Sequence, residues 1–191
     1  MSAAASIELA ARGKLPAWAV VGPERRAHLS RVAGLLDRWA AALGLSAAER
    51  RRWRAAGWLH DALRDADPET LLDVVPPELR DLPRSLLHGP AAAERLRADG
   101  VEDRPLLDAI AFHTIGHPAL DELGRALYLA DFVEPGRHLA PAWLAALRAR
   151  LPENRHAVLR QVVAARIGHL LDEGLPVRPE SLAFWNRIVT P

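Results

Sequence analysis

Along most of the chain apolar residues recur at intervals of three and four, the spacing of one buried helix face. Val32, Leu35, Leu36 and Trp39 form one such stripe, in a segment that Pro23-Glu24 opens and Gly44 closes. Trp53, Ala56 and Leu63 form another, behind the capping box Ser46-Ala47-Ala48-Glu49, and this helix is expected to reach Leu63. Leu106 and Ile110 mark a third within Asp103–Phe112. Leu120, Leu123 and Leu127 mark a fourth within Ala119–Val133. Helices are also predicted over His88–Ala98, near Pro141, over Glu153–Asp172 and over Pro179–Val189. A short one begins at Asp67-Pro68-Glu69 and is interrupted by Pro76-Pro77. Alternating β-branched runs are missing, so the pattern predicts an all-α fold, a single compact helical bundle with no sheet.

Several positions on these stripes hold polar residues. Four residues before Val32 stands His28. His60 shares the inner face of Trp53 and Ala56, with Asp61 beside it. His113 comes one turn after Ile110, and Asp131 is the next member of the Leu120-Leu123-Leu127 stripe. A lone core histidine is usually just hydrogen-bonded in place, and a lone buried aspartate can cap a neighbouring helix. Together they are harder to explain so simply. Buried unpaired carboxylates are unfavourable, no lysine lies near them in sequence, and one or two cations would satisfy the whole set. Imidazole with carboxylate suits iron, manganese, cobalt or zinc; the lack of thiolate argues against a structural zinc site. Of the other histidines, His156 fits a stripe with Leu159, Val163 and Ile167 and reads as core or helix-end packing. His138 and His169 read as surface. His117, in the break Thr114-Ile115-Gly116-His117-Pro118 near His113, is as much a candidate to face a substrate as not.

Composition narrows the picture. The chain has 191 residues, half of them hydrophobic, enough for a sizeable core in one domain. It has no cysteine, which excludes disulfides, zinc knuckles and iron–sulfur clusters and makes a reducing, cytoplasmic compartment the simplest expectation. No signal-peptide pattern and no apolar run of about 20 residues is present, so no membrane association is expected. A net charge of +1 gives no support to a nucleic-acid binder; the run Arg50-Arg51-Arg52-Trp53-Arg54 reads as a solvated helix face before it reads as a phosphate contact. No HExxH, P-loop or GxSxG motif occurs. Trp18 and Trp143 are exposed-tryptophan candidates that leave a homodimer open.

The order His…His-Asp…His…His…Asp on helices resembles the HD-domain phosphohydrolase superfamily. Ala109-Ile110-Ala111-Phe112-His113-Thr114-Ile115-Gly116 and Leu127-Tyr128-Leu129-Ala130-Asp131-Phe132-Val133-Glu134-Pro135-Gly136-Arg137 look like the hallmark segments of its YqeK branch. Leu87-His88-Gly89 and Phe184-Trp185-Asn186 fit the same branch, so the resemblance runs from about Arg25 to Asn186. It implies an HD-type bundle with an N-terminal helix and lead-in over residues 1–22, a metal-binding core over about 23–137 and C-terminal helices over 138–191. It also implies symmetrical cleavage of dinucleoside tetraphosphates, diadenosine tetraphosphate giving two ADP by attack of a metal-bound hydroxide. Carried over by position, His28, His60, Asp61 and Asp131 would hold one divalent metal. His88 and His113, with Asp61 bridging, would hold a second, so that Asp61 is central to catalysis. Iron is the first expectation, with manganese or cobalt as alternatives. Thr114, Gly116 and Arg137 would line the polyphosphate path. One departure stands out: where the family usually has lysine, three residues after the HD aspartate, this chain has Arg64, which keeps the charge for a phosphate but is longer and planar. His117 and Trp185 also depart from the pattern, at the nucleoside end of the pocket.

Two other readings keep the site and change its use. HD-type proteins also act on nucleoside monophosphates, deoxynucleotides and cyclic dinucleotides, and the scissile bond is chosen by pocket shape. A nucleotide sensor without turnover is the alternative from another class; the complete set of histidines and aspartates argues against it.

Overall fold

The computed structural model describes residues 3–137 and 140–190; His138 lies outside the described residues. Among the described residues ten α-helices follow in order: α1 (Ala3–Ala11), α2 (Pro23–Ala42), α3 (Ala47–Leu59), α4 (Pro68–Leu71), α5 (His88–Ala98), α6 (Arg104–Phe112), α7 (Glu122–Val133), α8 (Pro141–Arg148), α9 (Arg155–Asp172) and α10 (Pro179–Val189). Among the described residues there is no strand, and no helix is long and apolar enough to cross a membrane.

The local signals act as the sequence implies. Ser46 accepts a hydrogen bond from the Glu49 N–H, Asp103 from Leu106 and Asp121 from Gly124, so α3, α6 and α7 each start on a side-chain cap. The Asp121 cap sets the start of α7 at Glu122, three residues after the predicted Ala119; His117 to Leu120 make a turn instead. α3 ends at Leu59, short of the predicted Leu63. Beyond it Ala62 N–H bonds Leu59 O and Arg64 N–H bonds Asp61 O in tighter turns, while Ala62 O is taken by Val20 N–H at 2.8 Å.

The predicted stripes are the core. Leu29, Val32 and Leu36 of α2, Trp53, Ala56 and Leu59 of α3, Leu106 and Ile110 of α6, and Leu123, Leu127 and Tyr128 of α7 are almost fully buried, joined by Val158 and Val162 of α9 and Phe184 of α10. Two glycines set how closely the central helices approach. A Cβ on Gly57 would lie 2.5 Å from Ala33 Cα, so α3 rests on the backbone of α2. A Cβ on Gly89 would lie 2.8 Å from Ala111 O, so the start of α5 rests on the end of α6. Each glycine is close in sequence to a histidine, His60 or His88.

Two sequence expectations change here, for His156 and Trp18. His156 is exposed in the first turn of α9: Val158, Leu159, Val162 and Val163 take the inner face and rotate it outward, so only the helix-end reading stands. Trp18 is half-buried, its Nε1 donating to Asp99 at 2.8 Å; Trp143 is exposed. The arginine run is occupied with intramolecular partners, Arg50 with Asp37, Arg51 with Glu8, and Arg52 with Asp103 and Glu49.

Candidate metal centre

His28 lies within α2. The other three histidines sit at helix ends: His60 closes α3, His88 opens α5 and His113 closes α6. Asp131 lies in the last turn of α7. The fold brings these residues and Asp61 into one cluster, each at most 7 % exposed.

The hydrogen bonds fix the histidine tautomers. Nδ1 of His60, His88 and His113 faces the carbonyl of the residue three before it, Gly57, Ser85 and Ile110, at 2.9, 3.0 and 2.8 Å. A carbonyl only accepts, so each Nδ1 carries the proton and donates. His28 Nδ1 faces Glu134 Oε1 at 3.3 Å, another acceptor. All four rings therefore present Nε2 to one another and to the aspartates.

The Nε2 atoms form two sets. His28 Nε2 is 3.2 Å from His60 Nε2, 3.3 Å from Asp131 Oδ1 and 3.6 Å from Asp61 Oδ2. His60 Nε2 is 3.8 Å from Asp61 Oδ2 and 4.0 Å from Asp131 Oδ1. In the second set, His88 Nε2 is 3.3 Å from His113 Nε2, and Asp61 Oδ1 lies 3.1 and 3.2 Å from the two. Asp61 thus offers one oxygen to each set. His60 reaches both, its ring edge-on to His113 at 4.8 Å between centroids.

These distances fit metal ligation. Metal–ligand bonds of about 2.1 Å place adjacent ligand atoms about 3.0–3.4 Å apart, whether tetrahedral or octahedral. Two bare nitrogen lone pairs at 3.2 Å, by contrast, repel unless a cation or a proton lies between them. His28, His60 and Asp131, and separately His60, Asp61 and His113, are each arranged closely enough to share one ion. The buried His/Asp cluster therefore fits a divalent metal ion.

Charge around the cluster follows from burial and pairing. Burial pushes His60 down to about 3 and also lowers His88. Burial would lower His28 too, but hydrogen bonds to Asp131 and Glu134 outweigh it and raise it to about 9. A metal on that Nε2 must displace a proton, which makes binding pH-dependent. Burial works against the charge on Asp61 and Asp131, yet His60, His113 and His88 hold Asp61, and His28 and Arg137 hold Asp131, well below the ordinary aspartate value.

Several partners escape a reading of the sequence alone. Arg25 donates to Asp61 Oδ2 at 2.8 Å, and Arg166, far along the chain on α9, reaches Asp131 Oδ2 at 3.5 Å. Glu134 orients His28 and is itself held by Arg31 at 2.5 Å. The aspartates are therefore not without cationic partners, as the lack of nearby lysines had implied; the convergent imidazoles are the firmer argument for a metal. Arg25 lies three residues before His28 on α2, and Glu134 three residues after Asp131 at the end of α7, a signal that was present in the sequence. Arg166 has no such local signal.

The remaining candidates are spread around the cluster. Arg137 donates to Asp131 Oδ1 at 2.6 Å and to Asp131 O at 2.7 Å, and with Arg25, Glu24, His28 and Glu134 it lines a cleft of about 240 Å³. Arg64 is exposed, and its charge contributes to the lowering of His88. The carbonyl of Thr114 accepts from Arg166. Gly116 takes φ +76°, and a Cβ there would meet Phe184 at 2.3 Å, so its conformation and the seat of that ring both call for glycine. His117 stacks on Phe112, centroids 4.4 Å apart, and its Nδ1 accepts the Ala119 N–H. A larger groove of about 730 Å³ between α5 and α6 contains none of the cluster residues.

Histidines at and near helix ends around a shared aspartate mark a helical protein whose site suits a divalent metal ion. The comparisons with known proteins give the class its family: residues 25–136 match the HD domain, and the chain belongs to that family. Among curated relatives, a protein of Halalkalibacterium halodurans named a symmetrical bis(5'-nucleosyl)-tetraphosphatase is 34 % identical over 105 residues, covering 54 % of this chain and 55 % of that one. A Bacillus subtilis protein of the same name is 27 % identical over 149 residues, covering 75 % and 79 %. The chain thus spans about half the length of the first relative and more of the second. A Clostridium acetobutylicum crystal structure, described as a predicted HD superfamily hydrolase involved in NAD metabolism, superposes with a TM-score of 0.76 at 25 % identity, over 88 % of this chain and 90 % of that one.

Proposed function

We propose that this chain is a metal-dependent phosphohydrolase that splits dinucleoside tetraphosphates symmetrically, diadenosine tetraphosphate giving two ADP. The observation that carries the reading is the Asp61 carboxylate, with Oδ2 toward His28 and His60 and Oδ1 toward His88 and His113. It supports two cation positions bridged by one aspartate, the first completed by Asp131. The names of the relatives support the substrate.

Divalent cations held by His28, His60, Asp61, His88, His113 and Asp131 would supply Lewis acidity and lower the pKa of water to about 7. The chain's own residues do the rest. The carbonyls behind His60, His88 and His113 and the carboxylate of Glu134 fix the rings before substrate arrives, a preorganised arrangement. Arg25 and Arg137 border the cleft that reaches His28, in position to receive phosphate oxygens. Arg64 and Thr114 add a charge and a hydroxyl, and His117, stacked on Phe112, stands toward the nucleoside end. Water oxygen bonds to phosphorus and its proton passes to bulk solvent; the bridging P–O bond breaks with its electron pair on the departing ADP, a stabilised anion that needs no strong general acid. Asp61, Asp65, Asp131 and Glu134 are matched by Arg25, Arg31, Arg137 and Arg166, so any bound cation leaves a positive excess suited to a highly charged polyphosphate.

The test is anion-exchange chromatography of products from diadenosine tetraphosphate with manganese or ferrous iron, beside metal analysis of protein purified without chelator. ADP as the sole product is expected. AMP with ATP, or undiminished turnover without a transition metal, would remove the proposal.

A further inference from the structure

We propose that Arg166 is a positioning residue of this centre, its guanidinium fork tying the outer oxygen of Asp131 to the carbonyl of Thr114. The inference rests on the reading of the cluster as a metal centre. Asp131 Oδ1 faces His28 and accepts from Arg137, while Oδ2 turns the other way, 3.5 Å from Arg166 Nη2. Arg166 Nη1 donates to Thr114 O. The group is held flat by two rings that flank Asp131 on α7, Tyr128 at 4.7 Å and Phe132 at 5.1 Å from the guanidinium carbon. A carboxylate turns easily about its last torsion, which is broad and roughly two-fold. Arg166 removes that freedom from the oxygen opposite the histidines. The same side chain holds the segment that follows His113, so one guanidinium sets the placement of both Asp131 Oδ2 and Thr114 O. Arg166 lies beyond residues 25–136, so the part of the chain outside the HD match supplies this restraint.

Lysine keeps the charge and loses the fork and the planar face, so Arg166→Lys isolates geometry from electrostatics. Titration with cobalt(II) alone, followed by visible absorption, reads affinity and ligand geometry without turnover. We expect about 10-fold weaker binding in Arg166→Lys and an altered spectrum, the size typical of losing an outer partner of a metal ligand. The melting temperature of the chelated protein should stay near that of wild type. Arg166→Gln, whose shorter, uncharged amide reaches neither acceptor, should weaken binding at least as much and provides the same reading if the lysine variant folds poorly. Unchanged cobalt affinity and spectrum in both variants, with or without lowered melting, overturns the proposal. Wild type that binds cobalt yet leaves the tetraphosphate intact counts against the proposed substrate and not against Arg166. Wild type that binds no cobalt removes both.

Discussion

Gly57→Ala tests whether the close approach of α2 and α3 builds the centre. The added Cβ would stand 2.5 Å from Ala33 Cα, 2.7 Å from Ala33 N and 3.0 Å from Ala33 Cβ. Backbone cannot rotate aside, so the helices must part by about 1 Å to reach ordinary carbon–carbon contact near 3.5 Å. Overpacking of this kind costs about 3 kcal/mol, at the upper end of the usual range. Replacing glycine within a helix returns about 1 kcal/mol. The net is about 2 kcal/mol, or a melting temperature lower by about 4–8 °C for a chain of this size. The same displacement acts on the site. Gly57 O holds His60 Nδ1 at 2.9 Å, and His60 Nε2 lies 3.2 Å from His28 on the opposing helix. Metal affinity should therefore fall with stability. Gly34→Ala is the control: in the same pair of helices its Cβ would meet only Arg38 Nη1, at 3.4 Å, so it should be neutral or stabilising by up to about 1 kcal/mol. Calorimetric melts of the chelated proteins and a metal titration decide the matter. Gly57→Ala that melts at or above wild type, with unchanged metal affinity, would refute the reasoning.

Asp61→Asn keeps the shape and removes the charge shared by both sets; metal bound per chain, by mass spectrometry, should drop and turnover should fall about 100-fold or more, and full metal content would deny Asp61 its bridging place. Glu134 should contribute to acid stability: burial would raise its pKa, but His28, Arg31 and the Gly136 N–H bring it down to about 2 from 4.5. Because the folded value is the lower one, that stability is present above pH 4.5 and is lost as pH falls toward 2. Urea melts of Glu134→Gln should show a shallower loss than wild type across that window, and parallel curves would contradict it. Arg64→Ala should lower kcat/KM for the tetraphosphate about 10-fold, with Arg64→Lys restoring most of it; steady-state kinetics in which all three agree would take Arg64 off the substrate path.

Local spacing determined much of this protein. Helical periodicity and the Ser46, Asp103 and Pro23 signals settled the all-α class and most element bounds, since a helix's buried face repeats within a few residues. The same periodicity carried His28, His60, His113 and Asp131 to the interior, where all four are buried. It could not show that His60 closes its helix, because the end of α3 depends on Val20 reaching Ala62 across 42 residues. Nor could it divide the two oxygens of Asp61 between histidine sets, or pair Arg25 with Asp61 and Arg166 with Asp131. Those arrangements depend on how α2, α3, α6, α7 and α9 settle against one another, at glycine contacts and over aromatic rings. Sequence sets which side of a helix faces inward because that is a property of a few neighbouring residues. Which atoms then meet is decided by packing between segments far apart in the chain, and only the tertiary structure contains it.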